Sequence, residues 1–347
     1  MKILYAVQAT GNGHITRAIE LIPHFEKWGD VDILVSGIQA DLELPFKVKY
    51  RFHGLSFVFG KEGGLDLWRS YWRLKSFKLL KEIKKLPIQK YDLIISDFEP
   101  ISCWAALKAG KFCVGLSNQV ATLHPLAPMP PKNDILGRMV LAHYAPISVG
   151  YGFHFKSLDQ HIFTPIIRKA VREINNTDEG HYTVYLPSYS DKKIIKHLKK
   201  FSHITWEVFC KHSKKKYKED NVSVYPINSE RFLKSMASAS GVLCNAGFGV
   251  TSEALFLGKK LLVVPMKNQF EQHCNAAMLN SMGVQSIKKI SKKHLVKLGD
   301  WLNSNEIILV DYPDQSAQIV EEIVLNHAGQ KELVKLAKQN LNLYLHV

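Results

Sequence analysis

Short runs of apolar, mostly β-branched residues alternate along the chain with longer stretches in which apolar positions recur every three or four residues. The first pattern is that of strands buried on both faces and the second that of helices covering them. Their alternation predicts βα units on parallel sheets, an α/β class. In the first half strands are expected at 2–8, 31–36, 47–52, 92–96, 112–116 and 147–151, with helices at about 14–28 and 100–109. The second half repeats the layout, with strands at 182–186, 204–209, 222–225, 241–244 and 260–264. A chain of 347 residues exceeds what one hydrophobic core usually serves. Together with the polar, turn-forming stretch at 175–180, this puts a division near 160 and gives two doubly wound domains, 1–160 and 161–347. The final stretch, with Leu333, Leu336, Leu341 and Leu345 at helical spacing, is expected to pack back across both.

Composition refines this frame. With 46% hydrophobic and 22% charged residues the chain lies in the globular range. Its five cysteines, Cys103, Cys113, Cys210, Cys244 and Cys274, are scattered and form no CxxC pair, which fits a reducing compartment. The opening residues read as a buried strand and not as a leader, and no apolar run approaches the roughly 20 residues that span a bilayer. A cytoplasmic location is the expectation. A net charge of +15 calls for an acidic partner without choosing one. The lysine runs at 192–200 and 211–218 read as solvated faces, and with no aromatic platform beside them nucleic acid is disfavoured. Residues 65–86 are basic and carry Trp68, Trp72, Leu79, Ile83 and Leu86 on one helical face. That face either lies on anionic membrane at the inner side of the cell or is an ordinary core face, and the latter is the commoner case.

Candidate chemistry begins where the first strand runs into Gly11-Asn12-Gly13-His14. Two glycines between a buried strand and a helix start let a ligand approach the backbone. Thr16 stands where a dinucleotide fingerprint would need its third glycine, which argues against an oxidoreductase. His14 is then at the carboxyl edge of the sheet, where open α/β sheets bind ligands. Asp97, ending the fourth strand, reaches the same edge and can hold the imidazole tautomer as a general-base dyad. The alternative for Asp97 is a helix cap before Pro100.

The second half carries Asn245-Ala246-Gly247-Phe248-Gly249-Val250-Thr251-Ser252-Glu253 and, after a strand, Glu271-Gln272-His273-Cys274-Asn275. The first segment is a strand, a glycine turn and a helix start, which offers backbone donors and a positive dipole to a diphosphate. Thr251 can add a hydroxyl, Glu253 can accept from ribose hydroxyls, and Glu271 and Gln272 suit sugar hydroxyls.

In order and spacing these residues resemble the donor site of GT-B glycosyltransferases, notably MurG-like enzymes and the UDP-glycosyltransferase superfamily. Gly247, Gly249, Thr251 and Glu253 match the family's diphosphate and ribose set; Glu271, Gln272 and Asn275 match its sugar set. His14 matches its catalytic histidine and Asp97 the aspartate that partners it. The resemblance implies two Rossmann-like domains facing across a cleft, the donor on the second and the acceptor on the first. It implies a hexose or N-acetylhexosamine moved from a nucleotide sugar, with UDP the expected nucleotide, to an acceptor hydroxyl that the residues do not identify. A lipid-linked acceptor is among the candidates. Inversion is expected, because Leu261 stands eight residues after Glu253, where retaining enzymes of this fold carry a second glutamate. No metal and no cofactor are expected. The competing readings are a non-catalytic nucleotide- or RNA-binding protein and a UDP-sugar 2-epimerase.

Overall fold

The computed structural model describes residues 1–9, 11–37, 44–54, 76–131, 134–211 and 213–330. Among these, two seven-stranded sheets are present. The first contains β1 (Lys2–Gln8), β2 (Asp30–Ser36), β3 (Val48–Phe52), β4 (Leu93–Asp97), β5 (Val114–Ser117), β6 (Val149–Phe153) and β7 (Ile162–Phe163). All its pairings are parallel, in the order β3-β2-β1-β4-β5-β6-β7. The second contains β8 (His181–Tyr185), β9 (Thr205–Cys210), β10 (Tyr217–Glu219), β11 (Val222–Pro226), β12 (Gly241–Cys244), β13 (Lys260–Val263) and β14 (Gln285–Ser286), in the order β10-β11-β9-β8-β12-β13-β14. Only β10, paired to β11, runs antiparallel there. Every strand expected from the pattern is present, its ends within two residues of the expectation. The strands without a forecast, β7, β10 and β14, have two or three residues each, too few to carry a period.

Strand order reverses direction between β1 and β4 in the first sheet and between β8 and β12 in the second. At such points the following helices leave toward opposite faces and open a crevice at the carboxyl ends of the strands. The register pairs Val7 with Asp97, so the end of β4 lies beside the glycine loop after β1. The loop leads into α1 (Asn12–Glu26), which begins two residues before the expected start because Gly11, in extended conformation, is its N-cap.

Alternation along the strands distributes the core. In the first sheet Leu4, Ala6, Leu34 and Ile94 face one side with Ile101, Cys103 and Ala106 of the helix Pro100–Ala109. Ile3, Tyr5, Val7, Ile33 and Ile95 face the other side, toward Ile15, Leu21, Ile22 and Phe25 of α1. That second cluster continues into the other half of the chain, through Val242, Cys244, Leu255, Val263, Ile319, Val320 and Ile323. The helix Ser316–His327 rests on α1, His327 Nε2 lies 2.9 Å from Tyr151 Oη, and Gly329 N donates to Asp92 O at 3.0 Å. The 331–345 part of the final leucine stretch lies outside the described residues; the helix seen to return to the first half is the one before it.

Of the basic 65–86 stretch, residues 65–75 lie outside the described residues. In the helix Ser76–Lys85 and just after it, Ile83 and Leu86 are buried and Leu79 packs against the same cluster, so this part of the apolar face is turned inward.

One fully buried contact between the halves is Ile319. Truncation to alanine removes apolar atoms and leaves a cavity, so Ile319→Ala should lower the unfolding free energy by about 2–5 kcal/mol in urea titrations. The core is shared, so circular dichroism and tryptophan fluorescence should report one coincident transition; two separate transitions in the wild type would contradict a shared core.

Candidate active site

His14 lies one residue past Gly13 in the first turn of α1. Its Nδ1 is 2.7 Å from Asp97 Oδ1. Arg17, one helical turn further on, donates from Nε to Asp97 Oδ2 at 2.8 Å and from Nη2 to Oδ1 at 2.5 Å, a two-pronged grip on a carboxylate with no solvent exposure. The guanidinium also lies 5.3 Å over the Phe153 ring and reaches Asn118 Oδ1 at 3.4 Å. Burial pushes the Asp97 carboxyl up, but the Arg17 charge and the contacts from His14 and Arg17 outweigh it and the group sits below its ordinary range. Burial likewise works against the Arg17 charge, and Asp97 more than restores it.

Arg17 Nη2 also comes within 3.0 Å of His14 Nδ1. One nitrogen cannot donate to a carboxylate and accept from a guanidinium at once. The shorter, charge-assisted contact decides: Nδ1 carries the proton and gives it to Asp97, leaving Nε2 as the bare lone pair. Asp97 is free for this because the cap of the helix at Pro100 is Glu99, which accepts from Ile101 N at 2.9 Å and Ser102 N at 2.6 Å. Between the two acids Phe98 holds a left-handed φ of 55°, a costly conformation for a side chain of this size, and stacks on Tyr144 with centroids 4.8 Å apart.

In the second half β12 ends at Cys244, and the helix Phe248–Phe256 begins after Gly247, with no side chain capping its first turn. A Cβ on Gly11, Gly13, Gly247 or Gly249 would meet nothing within 4 Å. None of these glycines has a positive φ, so neither packing nor backbone conformation within the chain calls for glycine there. Open space in front of two backbone turns is what a closely approaching ligand needs. Asn12 opens α1 beside the first turn.

Several other residues singled out in the sequence hold the second turn in shape. Asn245 Nδ2 donates to Val264 O at 2.6 Å, Asn275 Nδ2 to Ala246 O at 3.0 Å, and Gln272 Oε1 accepts from Met266 N at 2.9 Å. Thr251 turns its hydroxyl back on Gly247 O at 2.7 Å, and the Phe248 ring packs 5.0 Å from that of Phe155. Glu253 is gripped at both oxygens by Arg168, at 2.5 and 2.7 Å. Burial opposes the Arg168 charge, yet the pairing with Glu253 raises its pKa overall.

Glu271 links the two halves. From the helix Phe270–Ser281 its Oε1 accepts from Asn118 Nδ2 at 2.8 Å and its Oε2 from Gln119 Nε2 at 3.1 Å, both on the short helix Asn118–Thr122 after β5. Gln119 Nε2 also comes 3.4 Å from His14 Nε2. The structure thus joins Asp97, His14 and Glu271 in one chain of contacts and ties Glu253 to Arg168 instead. Arg17, Asn118, Gln119 and Arg168 were not among the residues expected at the site. Arg17 could have been found from its spacing, three residues after His14. Asn118 and Gln119 could have been found as a polar pair following a buried strand at the same sheet edge.

Beside this chain lies a cavity of about 360 Å³ between β4, β5, β6 and the helix Ile135–Tyr144. Gln119 lines it, and so do His124 and Pro125 of the loop that follows the helix Asn118–Thr122.

The profile of glycosyl transferase family 1 matches residues 1–304. No curated protein matches the chain. Among solved structures, the glycotransferase of kitacinnamycin superposes with a TM-score of 0.55 over 98% of both chains at 12% identity. UGT89C1 of Arabidopsis thaliana, complexed with UDP, gives 0.55 over 99% of both at 11%. MurG of Acinetobacter baumannii gives 0.54 over the whole of both at 14%. At such identities the likeness is one of fold, the GT-B arrangement.

Removing one partner of a buried ion pair strands the other charge, so Arg17→Met should cost about 3–5 kcal/mol of stability in urea at neutral pH. Because the folded-state pKa of Asp97 lies below its unfolded value, its contribution is complete above the ordinary carboxylate range and is lost as pH falls through the folded value. The Arg17→Met penalty should therefore shrink toward acid pH, and Arg17→Met combined with Asp97→Leu should recover much of the loss. A penalty independent of pH would contradict the pairing.

Proposed function

The chain belongs to glycosyl transferase family 1, and on that footing we propose that it transfers a hexose or N-acetylhexosamine from a nucleotide sugar to an acceptor hydroxyl, inverting the anomeric centre without a metal. The observation that carries this reading is the His14 imidazole, tautomer fixed by Asp97 and bare nitrogen turned to the gap that Glu271 bridges.

The donor's diphosphate lies against the uncapped first turn after Gly247, where the N–H groups of Phe248, Gly249 and Val250 and the helix dipole favour negative charge. The ribose hydroxyls go to Glu253, whose two oxygens keep lone pairs beyond those that Arg168 occupies. The sugar lies toward Glu271. UDP is the nucleotide bound in the similar Arabidopsis thaliana structure, and we extend it to this chain as part of the proposal.

In the reaction the acceptor hydroxyl gives its proton to His14 Nε2 while its oxygen bonds to the anomeric carbon from the side opposite the diphosphate. The bond between that carbon and the diphosphate oxygen breaks, and the electron pair leaves on the diphosphate, where preorganised backbone donors meet it. The imidazolium that forms faces Asp97, whose charge Arg17 keeps in place. A single displacement of this kind inverts the centre. Asn245, Thr251, Gln272 and Asn275 shape the turn through these contacts, and Gln272 Nε2 and the Thr251 oxygen remain for the donor.

His14→Ala should lower turnover of a nucleotide sugar by roughly 10² or more and leave binding of the donor unchanged in calorimetric titration. Near-normal turnover in that variant would remove His14 from the mechanism.

A further inference from the structure

Three lysine-rich segments that are far apart in the chain meet on one side of the second sheet. Residues 191–200, 211–220 and 288–300 hold five lysines each and four acids in all, a net +11 of the protein's +15. All fifteen lysines are exposed. Beneath them the helix Asp191–Leu198, the strand β10 and the helix Leu295–Asn303 pack on one apolar cluster through Ile194, Leu198, Tyr217, Leu295 and Leu298. The two helices lie side by side. At one end the Ile290 backbone hydrogen-bonds the Tyr189 side chain, and at the other a Cβ on Gly299 would meet the Phe201 ring at 3.5 Å. On the far flank Tyr217 Oη donates to Asp191 Oδ2 at 2.7 Å, and Lys199 Nζ takes up two of the four acids, Glu219 at 3.1 Å and Asp220 at 3.5 Å. The crowding of charge shows at His294, whose pKa is lowered first by partial burial and then by Lys297, Lys289, Lys288 and Lys293. Leu243 and Leu262 belong to this cluster, whereas their neighbours Val242 and Val263 belong to the one shared with the first half. The lysine face is therefore on the side of the sheet turned away from the first half.

We propose that this face docks the protein on an anionic lipid membrane, the lysines of the three segments lying against acidic headgroups. Like charges held together on a folded surface repel one another, and an acidic surface laid against them relieves this. Composition favours a bilayer over nucleic acid. Every cation in the three segments is a lysine, a point charge without the planar fork by which arginine grips phosphates and bases. Stacked bases need free rings, but Tyr189 lies under the Lys193 ammonium at 4.8 Å and Tyr217 is held by Asp191. Val296, between Lys293 and Lys297 at the start of the helix Leu295–Asn303, is 73% exposed. A headgroup layer would take that apolar side chain in and leave the neighbouring ammonium groups at the phosphates. The face is distinct from the 65–86 stretch, whose described end turns its apolar side inward. It is also independent of the catalytic reading, since none of its residues belongs to the site described above.

The test is co-sedimentation with vesicles of phosphatidylglycerol and phosphatidylcholine in equal parts, against vesicles of phosphatidylcholine alone. At low salt the wild-type protein should bind the acidic vesicles at least about a hundredfold more tightly, and about 0.5 M sodium chloride should release it. Each lysine near an anionic surface strengthens binding about fivefold, so Lys288→Gln, Lys289→Gln, Lys292→Gln and Lys293→Gln together should weaken it at least about a hundredfold. A second measurement needs no variant to fold. In the wild type, acetylation by an N-hydroxysuccinimide ester, read by mass spectrometry, should be slowed by acidic vesicles at Lys193, Lys289 and Lys297 and unchanged at Lys27, which is exposed in the first half. Equal binding to both kinds of vesicle overturns the proposal, and so does binding that survives the four substitutions or protection that falls outside the three segments. Duplex DNA or RNA held through the same lysines, with acidic vesicles left unbound, would give the face to nucleic acid and overturn the membrane. Loss or retention of transferase activity alters none of these readings, so this idea and the catalytic one fail separately.

Discussion

Asp97 is a carboxylate with no exposure to water, held at the carboxyl end of a central strand by the Arg17 guanidinium and the His14 ring of the same helix. An isolated charge in that position would cost several kcal/mol, so the strand end is tenable only with Arg17 in place. With Arg17 in place, the carboxylate has a lone pair left for His14, and that contact decides which imidazole nitrogen is bare. Geometry upstream serves the same end: the register of β1 with β4 brings Asp97 beside the glycine loop, and Glu99 takes the capping duty that Asp97 would otherwise have. The residue in between, Phe98, carries the backbone strain that this division of labour requires.

The two halves of the chain share one apolar cluster, and α1, which bears His14 and Arg17, is packed by residues of both. His14 is therefore positioned by residues of both halves and not by its own sheet alone. Polar contacts repeat the theme across the gap, where Glu271 from one half accepts from two amides of the other. At the strand-order reversal of each sheet, the turn after β1 or β12 carries two glycines at which a Cβ would meet nothing within 4 Å.

Strands and the α/β class were legible because a strand buried on both faces leaves an unbroken apolar run, and because loops between such runs declare themselves by glycine, proline and polar clusters. The contact between His14 and Asp97 was legible as well, since a residue ending a parallel strand must emerge at the sheet's carboxyl edge. Arg17 was not, because a helical arginine reads as solvated until the carboxylate it meets is known. Nor could sequence tell that Asn245, Thr251, Gln272 and Asn275 each make a hydrogen bond to nearby backbone, since their residue types suit a ligand and a turn equally. Arg168 had no signal, being brought to Glu253 by a connection whose path the local pattern does not encode.

The account stands on which ring nitrogen of His14 bears the proton in the uncharged imidazole, and nitrogen-15 NMR of labelled protein reads this directly. A protonated Nδ1 and a bare Nε2 are the predicted pair of shifts, reverting toward an ordinary tautomer mixture in Asp97→Asn. A proton resident on Nε2 in the wild type would leave no base facing the gap and would contradict the account.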